Sequence, residues 1–152
     1  LEVRRVRQSD PDAAPLVEEL THEYTTRYGP MGAEEMRRPA HVFEPPRGQF
    51  LLLLEAGAAV AGGAFLRRDA ETAELKRIWT HSRHRRRGLA RRVLAELENE
   101  ARAFGYNRIY LTTGPRQPEA RGLYLATGYA PLFDVEADPL TIGPLAFSKS
   151  IH

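Results

Sequence analysis

The residues best suited to chemistry lie in an arginine-rich turn between a predicted strand and a predicted helix. The strand covers residues 73–81, the helix covers residues 88–104, and the turn contains Arg85-x-x-Gly88-x-Ala90. Small residues let a backbone approach a ligand closely, and a helix N-terminus offers unpaired N–H groups at the positive end of its dipole. The turn therefore predicts an anion-binding cradle with a pyrophosphate as its ligand. The candidates are the backbone N–H groups of Arg86, Arg87, Gly88, Leu89 and Ala90, together with Arg91.

Arginine supplies nearly all of the positive charge, and six arginines fall between Arg83 and Arg92. Such a run is compatible with a solvated helix face, a nucleic-acid patch or a phosphate site. The central Gly88 favours a small phosphorylated cofactor, because arginine makes bidentate contacts with phosphate. Nucleic acid is not expected as a partner, because no aromatic side chains that could stack on bases are interleaved with the arginines.

The same turn resembles motif A of the GNAT family of acetyltransferases, which reads Arg/Gln-x-x-Gly-x-Gly/Ala. Arg85, Arg87, Gly88 and Ala90 occupy the motif positions in this sequence. The family binds the pyrophosphate of acetyl-CoA in this loop. The resemblance therefore implies acetyl-CoA as the co-substrate and the cradle as its pyrophosphate site.

The segment Glu74-Leu75-Lys76-Arg77-Ile78-Trp79-Thr80 resembles the family's strand ahead of motif A. In the family that strand's backbone pairs with the pantetheine arm, which implies that Ile78 and Thr80 contact the cofactor. The family often carries a carboxylate base on this strand, and Glu74 is the matching residue. A base must take a proton from the ammonium substrate before the amine can attack. The alternatives are His81 or a water as the base, with Glu74 a surface carboxylate paired to a neighbouring cation.

The segment Ala120-Arg121-Gly122-Leu123-Tyr124-Leu125-Ala126-Thr127-Gly128-Tyr129 resembles the family's motif B, Ala-x-x-Leu-Tyr-x-x-x-Gly-Phe/Tyr. The resemblance implies that Tyr124 lies beside the cofactor sulfur and acts as a general acid toward the departing thiolate. The alternative is a tyrosine that only packs at the edge of the core. The family commonly has an Asn a few residues earlier, where this chain has Gln117-Pro118, so that cofactor contact is not carried over.

Hydrophobic periodicity and turn signals predict eleven elements in the order β-α-α-β-β-β-α-β-α-β-β. The predicted strands cover residues 2–7, 49–56, 59–68, 73–81, 108–113, 129–136 and 145–151. The predicted helices run from a cap at Asp10 or Asp12 to about Tyr28, and over residues 33–38, 88–104 and 118–127.

The unit from Ala73 to Thr113 is strand, helix, strand, so its two strands are expected to be parallel. The hairpins on either side of it are expected to be antiparallel. The predicted class is therefore α/β (α+β): a mixed, mainly antiparallel sheet of six to seven strands, with a central parallel βαβ unit and helices on both faces. This order matches the acyl-CoA N-acyltransferase fold of the GNAT family over almost the whole chain.

The composition bounds the remaining possibilities. The chain has 152 residues, a net charge of +2 and no cysteine, which is consistent with one domain over residues 1–152 and excludes disulfides and a cysteine nucleophile. The five histidines are scattered without metal-ligand spacing, so no metal is expected. No apolar run reaches the length of a membrane span, so no membrane partner is expected. The amino end lacks the apolar core of a signal peptide, and a cytoplasmic location is expected.

The resemblance implies an N-acetyltransferase that moves an acetyl group from acetyl-CoA to a primary amine of a small molecule or peptide. The amine would attack directly within a ternary complex. Tyr24, Tyr28 and the loop of residues 29–50 correspond to the region that shapes the acceptor pocket in the family. The alternative function is a non-catalytic acyl-CoA sensor, and assembly into a homodimer stays open.

Overall fold

A computed structural model describes residues 1–152 and shows a single seven-stranded sheet flanked by helices. The strands are β1 (Glu2–Val6), β2 (Gln49–Glu55), β3 (Ala58–Arg67), β4 (Thr72–Thr80), β5 (Arg108–Thr113), β6 (Ala130–Pro131) and β7 (Leu145–Ser150). The helices are α1 (Ala14–Tyr28), α2 (Pro30–Glu35), α3 (Leu89–Ala103), α4 (Pro118–Ala126) and α5 (Pro139–Ile142). The strand order is β1-β2-β3-β4-β5-β7-β6.

Only β4 and β5 are parallel neighbours, with α3 as the connection between them, and every other pair is antiparallel. The predicted βαβ unit and the predicted mixed, mainly antiparallel sheet are therefore confirmed. None of the five helices combines the length and the apolar composition that a membrane span requires.

Each face of the sheet has its own apolar core. Neighbouring side chains on a strand point to opposite faces, and β2 is apolar on both. Leu51 and Leu53 join the core that α3 covers, whereas Leu52 and Leu54 join the core that α1 covers. Helices thus pack on both faces, as predicted, and β2 to β4 form a buried platform between them.

Two glycines in β3 allow this close packing. A Cβ on Gly62 would lie 2.9 Å from a methyl of Leu16 in α1, and a Cβ on Gly63 would lie 2.9 Å from a methyl of Leu97 in α3. At either position a side chain would require neighbouring atoms to shift. The small residues therefore set how closely α1 and α3 approach the middle of the sheet.

The predicted strand over residues 129–136 is wrong in its length. The strand covers only Ala130–Pro131, with one further hydrogen bond from the N–H of Leu132 to the carbonyl of Ala146 at 2.8 Å. Asp134 then turns the chain by accepting from the N–H of Glu136 at 2.9 Å. The segment then forms α5, which the sequence reading missed. Asp138 caps α5 through the N–H of Leu140 at 3.0 Å.

Two helix starts also differ from their predicted positions. The second helix begins at Pro30 rather than Ala33, because proline is preorganised for the first turn of a helix. Asp10 caps a short 3-10 turn over Pro11–Ala13 by accepting from the N–H of Asp12 at 2.8 Å. Helix α1 follows that turn without a side-chain cap of its own.

Candidate active site

A cleft opens where β4 and β5 part. The two strands pair only over Thr72–Glu74 and Arg108–Tyr110. From Leu75 onward β4 has no partner strand on that side, while β5 continues against β7 to Thr113. The space between the diverging strands is a cleft of about 990 Å³. Its walls come from α1 and α2 on one side, and from the start of α3, the β5–α4 loop and α4 on the others.

A β-bulge in β4 lies at this divergence. The pairing between β3 and β4 steps from Gly62 opposite Trp79 to Ala64 opposite Lys76, so that Arg77 and Ile78 together face Gly63. Arg77 adopts φ +62°, a left-handed conformation that is uncommon outside glycine. A bulge bends its strand and increases the local twist. The bulge thus turns the second half of β4 away from β5 and leaves its edge free for a ligand.

The predicted cradle has an unpaired backbone. None of the N–H groups from Arg85 to Arg91 donates to an acceptor within the protein. Gly88, at φ +73°, precedes the first residue of α3, and no side chain caps that helix. Unpaired N–H groups at a helix N-terminus, next to a left-handed turn, are the arrangement that binds phosphate groups. This backbone geometry fits a pyrophosphate.

Arg87 is the one cradle residue whose side chain turns away from the cleft. Its guanidinium forms an ion pair with Glu55 and lies 2.8 Å from Nδ1 of His84. The hydrogen bond from Arg87 to Glu55 lowers the pKa of the Glu55 carboxyl below its ordinary value. Only the backbone of Arg87 therefore remains available to an anion, whereas the side chains of Arg85, Arg86 and Arg91 belong to residues that line the cleft.

Tyr124 lines the cleft from α4. Its ring packs against Tyr129 and Phe147, with centroid separations of 5.8 Å and 5.5 Å. The residue is only 6% exposed. Its hydroxyl has no hydrogen-bond partner in the protein, yet no polar side-chain atom is both fully buried and unpartnered. The hydroxyl is therefore reached from the cleft. Burial raises its pKa, with a smaller contribution from Tyr24, so the phenol stays protonated and able to donate.

The structure brings most of the predicted site residues to the same cleft. The residues that line it are Ile78, Thr80, Arg85, Arg86, Gly88, Leu89, Ala90, Arg91 and Tyr124. Glu74 does not line the cleft: its carboxylate contacts Arg68 at 3.3 Å and Lys76 at 3.5 Å, on the paired part of β4. His81 also lies outside it, and its Nδ1 accepts from the N–H of Arg83 at 3.1 Å.

Two carboxylates that the sequence reading missed line the cleft from the helical side, Glu23 in α1 and Glu35 in α2. Burial alone would raise the pKa of Glu35, but the hydrogen bond from Arg38 and the charges of Lys76 and Arg77 lower it overall. Glu35 is therefore held ionised. No sequence signal separates it from its neighbour Glu34, because both follow the same helix start.

The end of α1 is bonded to the β5–α4 loop on the other side of the cleft. The hydroxyl of Tyr28 donates to Oε1 of Gln117 at 3.3 Å and accepts from the N–H of Arg116 at 3.1 Å. Oε1 of Gln117 also accepts from the N–H of Gly114 at 3.0 Å. Gln117 therefore organises the β5–α4 loop. Burial raises the pKa of the nearby Tyr24 to about 12.

No group of three His, Cys, Asp or Glu side chains is placed to hold a metal ion. What the arrangement offers instead is an anion site at one end, a free strand edge along its length and a phenol donor beside that edge. These features are suited to binding a phosphorylated, amide-bearing ligand and to protonating a leaving group.

Comparison with known proteins gives consistent matches over most of the chain. A sequence profile of the Acetyltransferase (GNAT) family matches residues 14–129. A Bacillus subtilis (strain 168) protein named uncharacterized N-acetyltransferase YsnE is 31% identical over 138 residues, covering 84% of this chain and 86% of that protein. The IAA acetyltransferase of Azospirillum brasilense is 32% identical over 101 residues, covering 64% of this chain and 66% of that protein.

A solved structure extends the likeness to the fold. The crystal structure of an aminoglycoside 6'-N-acetyltransferase complexed with coenzyme A superposes with a TM-score of 0.72 at 16% identity. The match covers 100% of this chain and 98% of that one. At this identity the comparison establishes the shared fold.

Proposed function

Because the chain belongs to the Acetyltransferase (GNAT) family of acetyl-CoA-dependent acyltransferases, we propose that it transfers the acetyl group of acetyl-CoA to a primary amine by direct attack in a ternary complex. One observation carries this proposal. The unpaired N–H groups of the cradle belong, with the exception of Arg87, to residues that line the same cleft as Tyr124 with its unpartnered hydroxyl. An anion site and a proton donor in one cleft meet the two main needs of acyl transfer from a thioester of a phosphorylated carrier.

Binding is assigned to two parts of the cleft. The N–H groups of the cradle, with the side chains of Arg85, Arg86 and Arg91, hold the pyrophosphate of acetyl-CoA. The free edge of β4 at Ile78 and Thr80 pairs with the amides of the pantetheine arm as an added strand would. Holding the thioester and the amine side by side supplies much of the rate enhancement, because it removes the entropy cost of their encounter.

The proton transfers are assigned to named side chains. Tyr124 donates its proton to the departing thiolate, and its raised pKa keeps that proton in place until it is needed. Backbone N–H groups near Ile78 polarise the thioester carbonyl. Glu74 takes the proton of the ammonium, and it does so through water because its carboxylate lies off the cleft. No covalent acyl-enzyme is involved, because the chain has no cysteine.

The direct test incubates the protein with acetyl-CoA and a panel of primary amines, including small amines, amino acids and peptides. We expect release of free CoA that depends on one class of amine, with the acetylated amine identified by mass spectrometry. Binding of CoA in calorimetry without CoA release from acetyl-CoA by any amine would instead favour the acyl-CoA sensor.

A further inference from the structure

Six charged side chains from the end of β3, from β4 and from the region of α2 form a connected cluster, of which Glu35, Lys76 and Arg77 line the cleft. This Lys76 cluster consists of Glu35, Arg38, Arg68, Glu74, Lys76 and Arg77. Glu35 contacts Arg38 at 3.2 Å, Arg77 at 3.4 Å and Lys76 at 3.5 Å. Four cations thus share two carboxylates, and the cluster carries a formal surplus of two positive charges.

Lys76 differs from the other three cations of the cluster. Arg38, Arg68 and Arg77 each donate a hydrogen bond to a carboxylate of the cluster. The ammonium of Lys76 makes only two ion pairs, both at 3.5 Å, and donates no hydrogen bond. Its side chain is 15% exposed. A largely desolvated ammonium with three donors requires acceptors that the protein does not supply here.

The free side of Lys76 faces the cleft. Lys76 lines the cleft, and no side-chain nitrogen of the protein is both fully buried and unpartnered. Its Nζ is therefore not fully buried, and the residue itself lines the space that an acceptor would enter. Lys76 also lies directly before the bulge at Arg77 and Ile78, next to the strand edge assigned to the thioester arm. An anion bound to Lys76 would sit close to the point of acetyl transfer.

The rest of the acceptor side is also positive. Beyond the cradle, the cations that line the cleft are Arg27, Lys76, Arg77 and Arg116, and the carboxylates are Glu23, Glu35 and Glu119, which leaves a formal surplus of one positive charge. Arg27 pairs with Glu23 at 3.5 Å. Arg116 has no carboxylate partner and uses only its backbone in the loop. A purely cationic amine would be repelled by this surplus, whereas an amine that carries an anionic group would be attracted.

We propose that the acceptor is an amine that also carries a carboxylate, and that Lys76 is the residue that binds this carboxylate. This inference rests on the proposed acetyltransferase function and specifies its acceptor. The amine nitrogen forms a bond to the acetyl carbon as the carbon–sulfur bond breaks. Of the two protons that the ammonium loses, one ends on the CoA sulfur and the other is released to solvent.

The rim of the cleft indicates which amino-carboxylates to use as probes. Met31 in α2 is 79% exposed and Leu140 in α5 is 62% exposed, and both line the cleft. A ligand with an apolar side chain would cover these residues and remove their apolar surface from water, which favours binding. Leucine, methionine and phenylalanine are therefore suitable acceptors, each compared with its own amide, in which the carboxylate is replaced by a neutral group of similar size.

The test measures kcat and KM for these amino acids and their amides in the wild type, Lys76→Met and Lys76→Arg. We expect the wild type to prefer the acids over the amides by tenfold or more in kcat/KM. Lys76→Met should bring that ratio close to one, mainly through the KM of the acid, while the KM of acetyl-CoA is unchanged. Lys76→Arg should keep most of the preference, since it keeps the charge.

Lys149→Met is the matched control, because it removes the chain's other lysine from an ion pair with Glu98 away from the cleft. It should leave the acid-to-amide ratio unchanged. Equal use of acids and amides by the wild type, or an unchanged ratio in Lys76→Met, would overturn the inference while leaving the acetyltransferase proposal intact. If no amine at all releases CoA, the proposed function fails. Calorimetric binding of the acids against the amides in the presence of CoA then still tests Lys76.

Discussion

At the scale of single residues, Tyr124 is the proposed proton donor. Its ring is held by aromatic neighbours, while its hydroxyl has no protein partner and a raised pKa. A buried phenol that served only packing would ordinarily find a hydrogen-bond acceptor. The missing acceptor therefore favours a ligand atom at that position, and this is the reason to test the hydroxyl rather than the ring.

Tyr124→Phe is expected to lower kcat by roughly a hundredfold or more, because a positioned general acid contributes about that much. The dissociation constant for acetyl-CoA should stay near the wild-type value, since the ring and its packing are kept. Steady-state kinetics and calorimetry measure the two effects. Tyr110→Phe, on β5 outside the residues that line the cleft, is the control and should retain full activity. A Tyr124→Phe protein with wild-type kcat would exclude the general-acid role.

Glu74→Gln tests the base. The amide cannot accept a proton, so the rate should fall at neutral pH and recover in part at high pH, where the substrate amine is already deprotonated. Rate profiles from pH 6 to pH 10 provide the measurement, with Glu71→Gln in the exposed β3–β4 turn as the control. Should the profile superimpose on that of the wild type, the proton acceptor is another group, and Glu23, Glu35 and Glu119 are the carboxylates that line the cleft.

At the scale of elements, the junction of β4 and α3 determines whether the cradle forms. Gly88 adopts φ +73° immediately before α3, and a Cβ there would meet no protein atom within 4 Å. The protein itself thus leaves room for a side chain, and the left-handed backbone is the first constraint on this position. The second constraint is the ligand that the unpaired N–H groups are proposed to hold.

Gly88→Ala is expected to weaken CoA binding about tenfold, or about 1.4 kcal/mol, because the added methyl group crowds the pyrophosphate and strains the turn. Calorimetry with CoA measures the change. Gly57→Ala is a closely matched control, since Gly57 has φ +83° and equally open space but lies in the β2–β3 hairpin. Both variants should lose similar thermal stability. Equal CoA affinity in the two variants would remove Gly88 from the binding site.

The sequence predicted those elements whose causes are local. The cradle has a glycine, a strand before it and an amphipathic helix after it, and each of these is visible in the residue pattern. The left-handed bulge at Arg77 has no such signal, because an arginine within a strand pattern gives no sign of a positive φ. Arg77 holds this conformation through tertiary contacts, including one at 3.1 Å to the backbone carbonyl of Glu35 in α2.

The position of Glu74 and the length of β6 illustrate the same limit. The resemblance assigns the base to Glu74 on β4, but the divergence of β4 from β5 begins only after this residue, at the bulge. The 129–136 segment is predicted as a strand, yet its hydrogen bonding to β7 ends at Leu132, and Asp134 and Asp138 then turn the chain and cap α5. Both outcomes depend on which backbone groups find partners, and residue types alone do not specify that.

At the scale of the whole molecule, carboxylates fasten separate elements to one another. Glu19 in α1 accepts from Nε1 of Trp79 at 2.9 Å and from the hydroxyl of Ser82 at 2.7 Å. Glu100 in α3 accepts from Arg5 at 2.6 Å. Burial would raise the pKa of Glu19, but its hydrogen bonds lower it overall, and the hydrogen bond from Arg5 lowers that of Glu100.

Acid should therefore destabilise the fold. Groups with a depressed pKa in the folded state stabilise it fully above the unfolded glutamate pKa of about 4.3, and this stability is lost as the pH falls through the folded values. The free energy of unfolding should be nearly constant from pH 7 to pH 5 and decrease below about pH 4.3. Urea unfolding at several pH values measures it. Glu19→Gln should reduce the fall in the free energy of unfolding between pH 5 and pH 3. An unchanged fall would show that the Glu19 carboxylate does not contribute to the acid sensitivity.

The unpaired amides of the cradle and of the free edge of β4 have a consequence for the exchange of amide hydrogens with deuterium. Protection from exchange requires a hydrogen bond that opens rarely, and the N–H groups of Arg85–Arg91 have no acceptor in the protein. They should exchange rapidly in the free protein, beside slowly exchanging amides in the paired middle of β2 and β3. Added CoA should slow them selectively, together with amides on the free edge of β4. Mass spectrometry of deuterated peptides would then trace the ligand along the chain before any acceptor is known.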